Sequence, residues 1–305
     1  MTLTKFSTLY LLLICCYIPL TTAAQGENNV WAFGDSLGLD FNTGDPVLTG
    51  SSMKSYESCA TVCDPGGKLL FYQGSADGAK TGFIWDKTHT VMPNGSGILG
   101  NLAGSARQGT CIVPFPDQSG KYYVFTTSTM EEIMAGDTLT YLRYSVVDMN
   151  LRGGLGDVDP RYKNIVINTS TSSETITLTK ATDCALWLIT NSPDTLSFNA
   201  YKIGTAGIET TPVVSGFPSP RYKLKKDAMG FVYSFLEMSP NGRLLAFSRY
   251  DYFPLLELYD FDPATGLFSN QRVLDDISDP LQFSPEGTKL YTSWGDLLQY
   301  DISLL

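Results

Sequence analysis

The sequence is short of histidine, of charge and of helical periodicity. A single His in 305 residues excludes a multi-His metal site and leaves any imidazole-based triad with one candidate base, His89. Charged residues make up 17% of the chain against 43% apolar, a balance that excludes a disordered tail or a coiled coil and allows one large domain or two small ones. Basic residues are the scarcer sign, 21 against 31 acidic for a net charge of -10, so the electrostatic footprint of a nucleic-acid or anionic-membrane binder is missing. No catalytic residue, no metal and no cofactor is expected from these features, and any catalysis would rest on carboxylates.

What is present begins with an export signal. Lys5 precedes the apolar run Leu9–Leu20, which ends in the small residues Thr21-Thr-Ala-Ala24. That pattern predicts a signal peptide over 1–24, cleaved before Gln25, and a domain over 25–305 that is secreted or held at the cell surface. The run is 12 residues long and contains Pro19, well short of the roughly 20 needed to span a bilayer, so no membrane span is expected after cleavage. The exported part keeps Cys59, Cys63, Cys111 and Cys184. Were Cys59 and Cys63 on one strand, their α-carbons would stand about 13 Å apart, too far for a disulfide, and buried free thiols are the preferred reading.

Beyond residue 25 the chain reads as short strands. Lys68-Leu-Leu-Phe-Tyr72, Lys121-Tyr-Tyr-Val-Phe-Thr-Thr127, residues 140–147, Asn164-Ile-Val-Ile-Asn168, Leu186-Trp-Leu-Ile-Thr190, Arg243-Leu-Leu-Ala-Phe-Ser248 and Leu255-Leu-Glu-Leu-Tyr259 are rich in β-branched and aromatic residues and bounded by Gly, Pro, Asn and Asp. A turn motif recurs: Ser239-Pro-Asn-Gly-Arg-Leu-Leu-Ala246 returns as Ser284-Pro-Glu-Gly-Thr-Lys-Leu-Tyr291, with earlier forms at 64–71 and 117–124 and a degenerate one at 181–188. The turn positions Gly67, Gly120, Asp183, Gly242 and Gly287 follow one another at 45 to 63 residues. Each unit pairs a turn able to take φ > 0 with an apolar strand that buries both faces. A second element, an apolar strand ending in Asp, appears at Asp86, Asp148, Asp262 and Asp301, where the carboxylate can cap the next turn. This rhythm predicts an all-β fold, a β-propeller of four-stranded blades.

Several motifs invite a chemical reading. Phe33-Gly-Asp-Ser-Leu37 matches the nucleophile block of GDSL-type esterases, yet no Asp-x-x-His follows and no helices alternate with strands, so Ser36 lacks its base and Gly34-Asp35-Ser36 reads as a turn between Trp31–Phe33 and Leu37–Phe41. Asp157-Val-Asp159 and Asp260-Phe-Asp262 offer paired carboxylates without the dense ligand loop of a strong hard-cation site, and turn capping explains both. His89 reads as orienting a loop before Met92-Pro-Asn-Gly95. Asn94-Gly-Ser96 and Asn168-Thr-Ser170 fit the N-glycosylation pattern.

The stretch Trp31-Ala-Phe-Gly34, Gly38-Leu-Asp-Phe41, Glu57-Ser-Cys-Ala60, Gly67–Tyr72, Trp85, Met92-Pro-Asn-Gly95, Ile112-Val-Pro114, Tyr122-Tyr-Val-Phe125, Leu142–Met149 and Gly153-Gly-Leu-Gly-Asp157 resembles the N-terminal propeller of large secreted Bacteroidetes surface proteins. The resemblance implies a seven-bladed, WD- or YVTN-like propeller, often followed by immunoglobulin-like modules and a sorting domain for type IX secretion. The chain itself allots five to six blades, which suggests a propeller truncated at its C-terminus. Family members carry His near the strand of Trp187 where this chain has Lys180 and Asn191, so no catalytic residue is carried over. The expected role is a non-enzymatic cell-surface binding or scaffold module for a protein or glycan, with Tyr250, Tyr252 and Phe253 as candidate contacts on a connecting loop. The competing role is a secreted propeller-fold hydrolase or lyase using carboxylates, since fold does not fix function.

Overall fold

The computed structural model describes residues 26–129, 132, 141–167, 172–192, 195–217, 233–250, 254–277 and 279–304. Six antiparallel sheets follow one another along this chain. The first holds β1 (Val30–Phe33), β2 (Asp35–Asp40) and β3 (Val47–Lys54); the second holds β4 (Ala60–Cys63), β5 (Leu69–Gly74), β6 (Gly82–Asp86) and β7 (Val91–Ile98). The third contains β8 (Thr110–Pro114), β9 (Lys121–Thr127) and β10 (Leu142–Asp148), whose outer edge is shared by two short strands, β11 (Asp157–Val158) and β12 (Ile165–Val166). The fourth repeats that plan with β13 (Ile176–Lys180), β14 (Leu186–Ser192) and β15 (Ser197–Gly204), edged by β16 (Gly207–Ile208) and β17 (Val213–Gly216). The fifth is β18 (Tyr233–Met238), β19 (Leu244–Tyr250), β20 (Pro254–Asp262) and β21 (Leu267–Asp275), and the sixth is β22 (Leu281–Phe283), β23 (Lys289–Trp294) and β24 (Asp296–Asp301). Four-stranded sheets are thus found whole in two cases, with a split fourth strand in two, and with three described strands in the first and last. Among the described residues no helix is long and apolar enough to cross a membrane.

The repeated turn works as the sequence predicts, with one correction. Gly67, Gly120, Gly242 and Gly287 have φ of 85, 79, 66 and 70°, and Ser239 accepts backbone N–H bonds from Arg243 and Leu244 across its turn. In the degenerate copy the left-handed residue is not Asp183 but Cys184, φ 61°. Asp183 instead receives the Lys202 ammonium at 2.6 Å. The Asp turns are capped as expected. Asp86 accepts from the backbone N of Thr88, Asp148 from Asn150, Asp262 from Ala264 and Asp301 from Ser303. Cys59, Cys63, Cys111 and Cys184 are free; Cys63 is buried, Cys59 and Cys111 are half-buried and Cys184 is exposed.

Strands covered on both faces explain the apolar runs. Along β20, Leu256 and Leu258 pack toward the sixth sheet while Tyr259 and Phe261 pack toward the fourth. Five buried clusters result, one for each space between successive sheets. The densest lies between the fourth and fifth, where Phe198 has the rings of Phe217, Phe247, Tyr259 and Phe268 at centroid distances of 4.8, 5.1, 4.9 and 4.8 Å. The first strands of the sheets touch in sequence, β1 with β4, then β8, β13, β18 and β22, so the sheets stand around a shared inner line.

β1 differs from the others. Val30 lies beside Cys63 and Ala32 beside Thr61, so β1 runs antiparallel to β4, whereas the residues heading β8 and β13 bridge in parallel, Gln108 with Thr175. The inward edge of β1 is covered by side chains: the Thr61 hydroxyl accepts from Ala32 N at 3.0 Å and lies 3.4 Å from Ala32 O, and the thiols of Cys63 and Cys59 reach the backbone at Val30 and Gly34.

Phe198→Ala should lower unfolding free energy by about 3–5 kcal/mol, read as a fall in the urea midpoint, while truncating the half-exposed Val166 to Ala should stay within about 0.5 kcal/mol.

Candidate functional site

The end of the molecule from which β4, β8, β13 and β22 start carries the longer connections, and polar side chains gather there. Gln108 ties three sheets together. Its backbone N donates to Glu174 O (3.2 Å) and its O accepts from Ile176 N (3.1 Å). Its side-chain amide reaches past the fourth sheet to the fifth, donating to Leu236 O at 3.1 Å and accepting from Leu236 N at 2.9 Å. The guanidinium of Arg107 lies over the Phe235 ring, 5.4 Å from its centroid.

Beside Gln108 lies a buried hydroxyl network. Asn191 Oδ1 accepts from Ser173 Oγ (2.5 Å), Thr175 Oγ1 (3.1 Å) and Ser234 Oγ (3.3 Å). Thr190 Oγ1 donates to Thr175 O at 2.9 Å and shares a hydrogen bond with Ser172. Asn191 is fully buried, and its Nδ2 finds no partner among the described residues. One orphaned amide group inside an otherwise satisfied network marks a place where a polar atom is still wanted.

Buried charge is split between the two faces of the fifth sheet. On the face toward the fourth sheet, Arg249 Nε lies 3.3 Å from Glu257 Oε2, both side chains being buried, and Gln271 donates to the same carboxylate. Burial pushes the Glu257 carboxyl up against the opposing pull of Arg249, and burial beside Glu257 raises the Tyr259 phenol. The guanidinium is also stacked on Phe217 at 5.0 Å and Phe247 at 5.6 Å. On the opposite face, Glu237 accepts from Gln282 Nε2 at 2.9 Å, and burial pushes its carboxyl up to about 7. The two carboxyls therefore occupy separate inter-sheet spaces and do not form a catalytic pair.

The residues singled out from sequence scatter differently. Tyr250 ends β19, opposite Tyr233 and Pro254, while Tyr252 and Phe253 lie outside the described residues. Gly34 and Ser36 shape the β1–β2 hairpin, with Phe33 paired to Leu37 as expected. Ser36 Oγ donates to Asp35, and His89, in the β6–β7 turn, shares a 3.1 Å hydrogen bond with the Tyr72 hydroxyl. Asp157 accepts from Asn94, and Asp159 is paired with Arg161 at 2.8 Å. Asp260 is held by Arg272 at 2.6 Å, so it and Asp262 serve separate local partners. Sequence reading missed Gln108 and Glu237, whose neighbours come from other sheets, and named Asn191 only as a departure from the family pattern. Arg249 and Glu257 did leave a trace, as charges set inside apolar strands.

A Bacteroides fragilis structure described as a candidate 6-phosphogluconolactonase superposes with a TM-score of 0.54 at 12% identity, covering 89% of this chain and 75% of its own. The chain is a β-propeller. Weaker likeness extends to the Dos1 propeller, with a TM-score of 0.41 at 11% identity over 88% of this chain and 74% of the other. A further match is a functionally unknown Desulfotomaculum acetoxidans protein, TM-score 0.46 at 10% identity over 88% and 75%. No protein-family model and no curated protein sequence matches the propeller.

Because the Glu237 carboxyl is held up to about 7, the propeller favours its neutral form. That contribution to stability is full below the ordinary glutamate range and is lost as pH rises through 7. Urea unfolding from about pH 4 to about pH 8 should therefore show a smaller decline in Glu237→Gln than in the parent, with the two converging at the acid end.

Proposed function

We propose that this propeller is an exported, non-enzymatic binding module, released or displayed at the cell surface through cleavage of residues 1–24, whose loop-bearing end engages a glycan or protein. The carrying observation is the dispersal of reactive groups. Three described carboxyls have raised pKa values: Glu237 and Glu257 lie on opposite faces of one sheet, each engaged by neighbouring side chains, and Asp279 stands apart from both, before β22. Gln108 turns its amide onto the backbone of another sheet, where it is fixed by one donated and one accepted bond. Rigid sheets presenting variable connections supply a binding surface without further machinery. The net charge of -10 supports a neutral or cationic partner over a polyanion.

The name borne by the B. fragilis structure raises a lactone hydrolase as the second reading, and the two are separable in one set of assays. The full chain is presented to a glycan array and to fractionated envelope, with excess untagged protein as competitor, and is assayed for 6-phosphogluconolactone hydrolysis. Saturable, competed capture with hydrolysis at background is expected. Hydrolysis that Glu237→Gln abolishes, with no capture, would overturn the binding reading.

A further inference from the structure

On the loop-bearing end, between the first and second sheets, lies an open cleft of about 570 Å³, within the size range of small-molecule sites. Tyr56 stands in it 85% exposed. This exposure is not slack. Ser55 N donates to Gly34 O (3.0 Å), Ser55 Oγ accepts from Ser75 N (2.8 Å), and Glu57 N and Ser58 N both donate to Gly104 O (2.7 and 3.0 Å). The backbone on both sides of Tyr56 is therefore pinned, and an aromatic ring is presented to water on a rigid stalk. Leu102 and the backbone of Gly34 add apolar and main-chain wall beside it.

The polar walls carry Asp35, Lys54, Asp77 and Lys80. Lys54 Nζ stands 3.4 Å from Asp77 Oδ2 and 3.7 Å from Asp35 Oδ1, and the hydrogen bond it donates to Asp77, with the charge of Asp35, raises its pKa. Two carboxylates against two ammoniums make the cleft locally neutral within a molecule of net charge -10. The lining itself offers no excess charge of either sign. Asp35 and Asp77 are largely exposed, so oxygen lone pairs remain free to accept, and the ammoniums can donate. A ligand matched to this set is uncharged, presents an apolar face to a phenol ring, and carries adjacent hydroxyls that both give and take hydrogen bonds.

We infer that this cleft binds a neutral saccharide, with Tyr56 as the stacking platform and the Lys54–Asp77 pair as the clamp on neighbouring hydroxyls. The inference rests on the binding-module reading and specifies its ligand class and place. The probes are neutral trisaccharides (maltotriose, cellotriose, laminaritriose, xylotriose and mannotriose), with a galacturonate trimer and a glucosamine trimer as charged controls, titrated into the full chain by calorimetry or ligand-observed NMR.

At least one neutral trisaccharide is expected to bind at about 1 mM or tighter, with charged trimers weaker. Tyr56→Ala should weaken it tenfold or more and Asp77→Asn severalfold, while Tyr56→Phe retains most of the affinity, all at an unchanged melting midpoint because these side chains are exposed. Absence of neutral-sugar binding, preference for a charged trimer, or affinity untouched by Tyr56→Ala overturns the inference. If the parent captures its envelope partner but binds no neutral trisaccharide, this cleft assignment falls and the binding-module reading stands. If capture and array binding are both absent in the parent, that reading falls as well.

Discussion

The architecture depends on its four middle sheets being covered on both faces. A sheet packed on one side can keep alternate residues polar, but sheets placed face to face around an inner line have no outer face to spare. Strands such as Leu186–Ser192 and Pro254–Asp262 are consequently buried almost throughout. Polar groups are driven to strand ends and connections, or must bring their own partners inside. The hydroxyl network around Asn191 and the Arg249–Glu257 pair are the two forms that internal partnering takes here. Removing one member of the buried ion pair would strand a charge in the aromatic layer of Phe217 and Phe247, which is worse than having neither.

How much of this was legible in the sequence follows from range. The turn and its Gly at φ > 0, the Asp cap and the Trp31–Phe41 hairpin are local devices, each written within about ten residues, and each was readable. In the degenerate copy the left-handed residue is Cys184, which stands where Gly242 does when 181–188 is laid on 239–246; Asp183 is one place early. The outer strands of the third and fourth sheets are split at residues 159–164 and 209–212, stretches that look like ordinary loops in the sequence. The first sheet precedes the first turn motif, so counting turns omits it.

The candidate site was far less legible. Gln108 contacts Leu236 across 128 positions, and Glu237 owes its raised pKa to burial, against the opposing pull of the hydrogen bond that Gln282 on β22 donates to it. Tyr56 and Lys54 sit in Lys54-Ser-Tyr-Glu57, a stretch with no motif, and meet Asp77 only because β3 and the β5–β6 connection end at the same height. The tyrosines and phenylalanine of 250–253 attracted notice because they are adjacent in sequence, whereas the cleft is assembled from residues that are not.

The side-chain cover on β1 has its own consequence for how the propeller comes apart. A backbone ladder breaks as a unit, since each bond aligns the next, but the cover on β1 consists of one hydroxyl and two thiols, each on its own rotor. Water can replace these groups one at a time. The first sheet is thereby held by a latch with separable catches. At Ala32 the amide is held by the Thr61 hydroxyl, so one rotor decides whether that catch is closed.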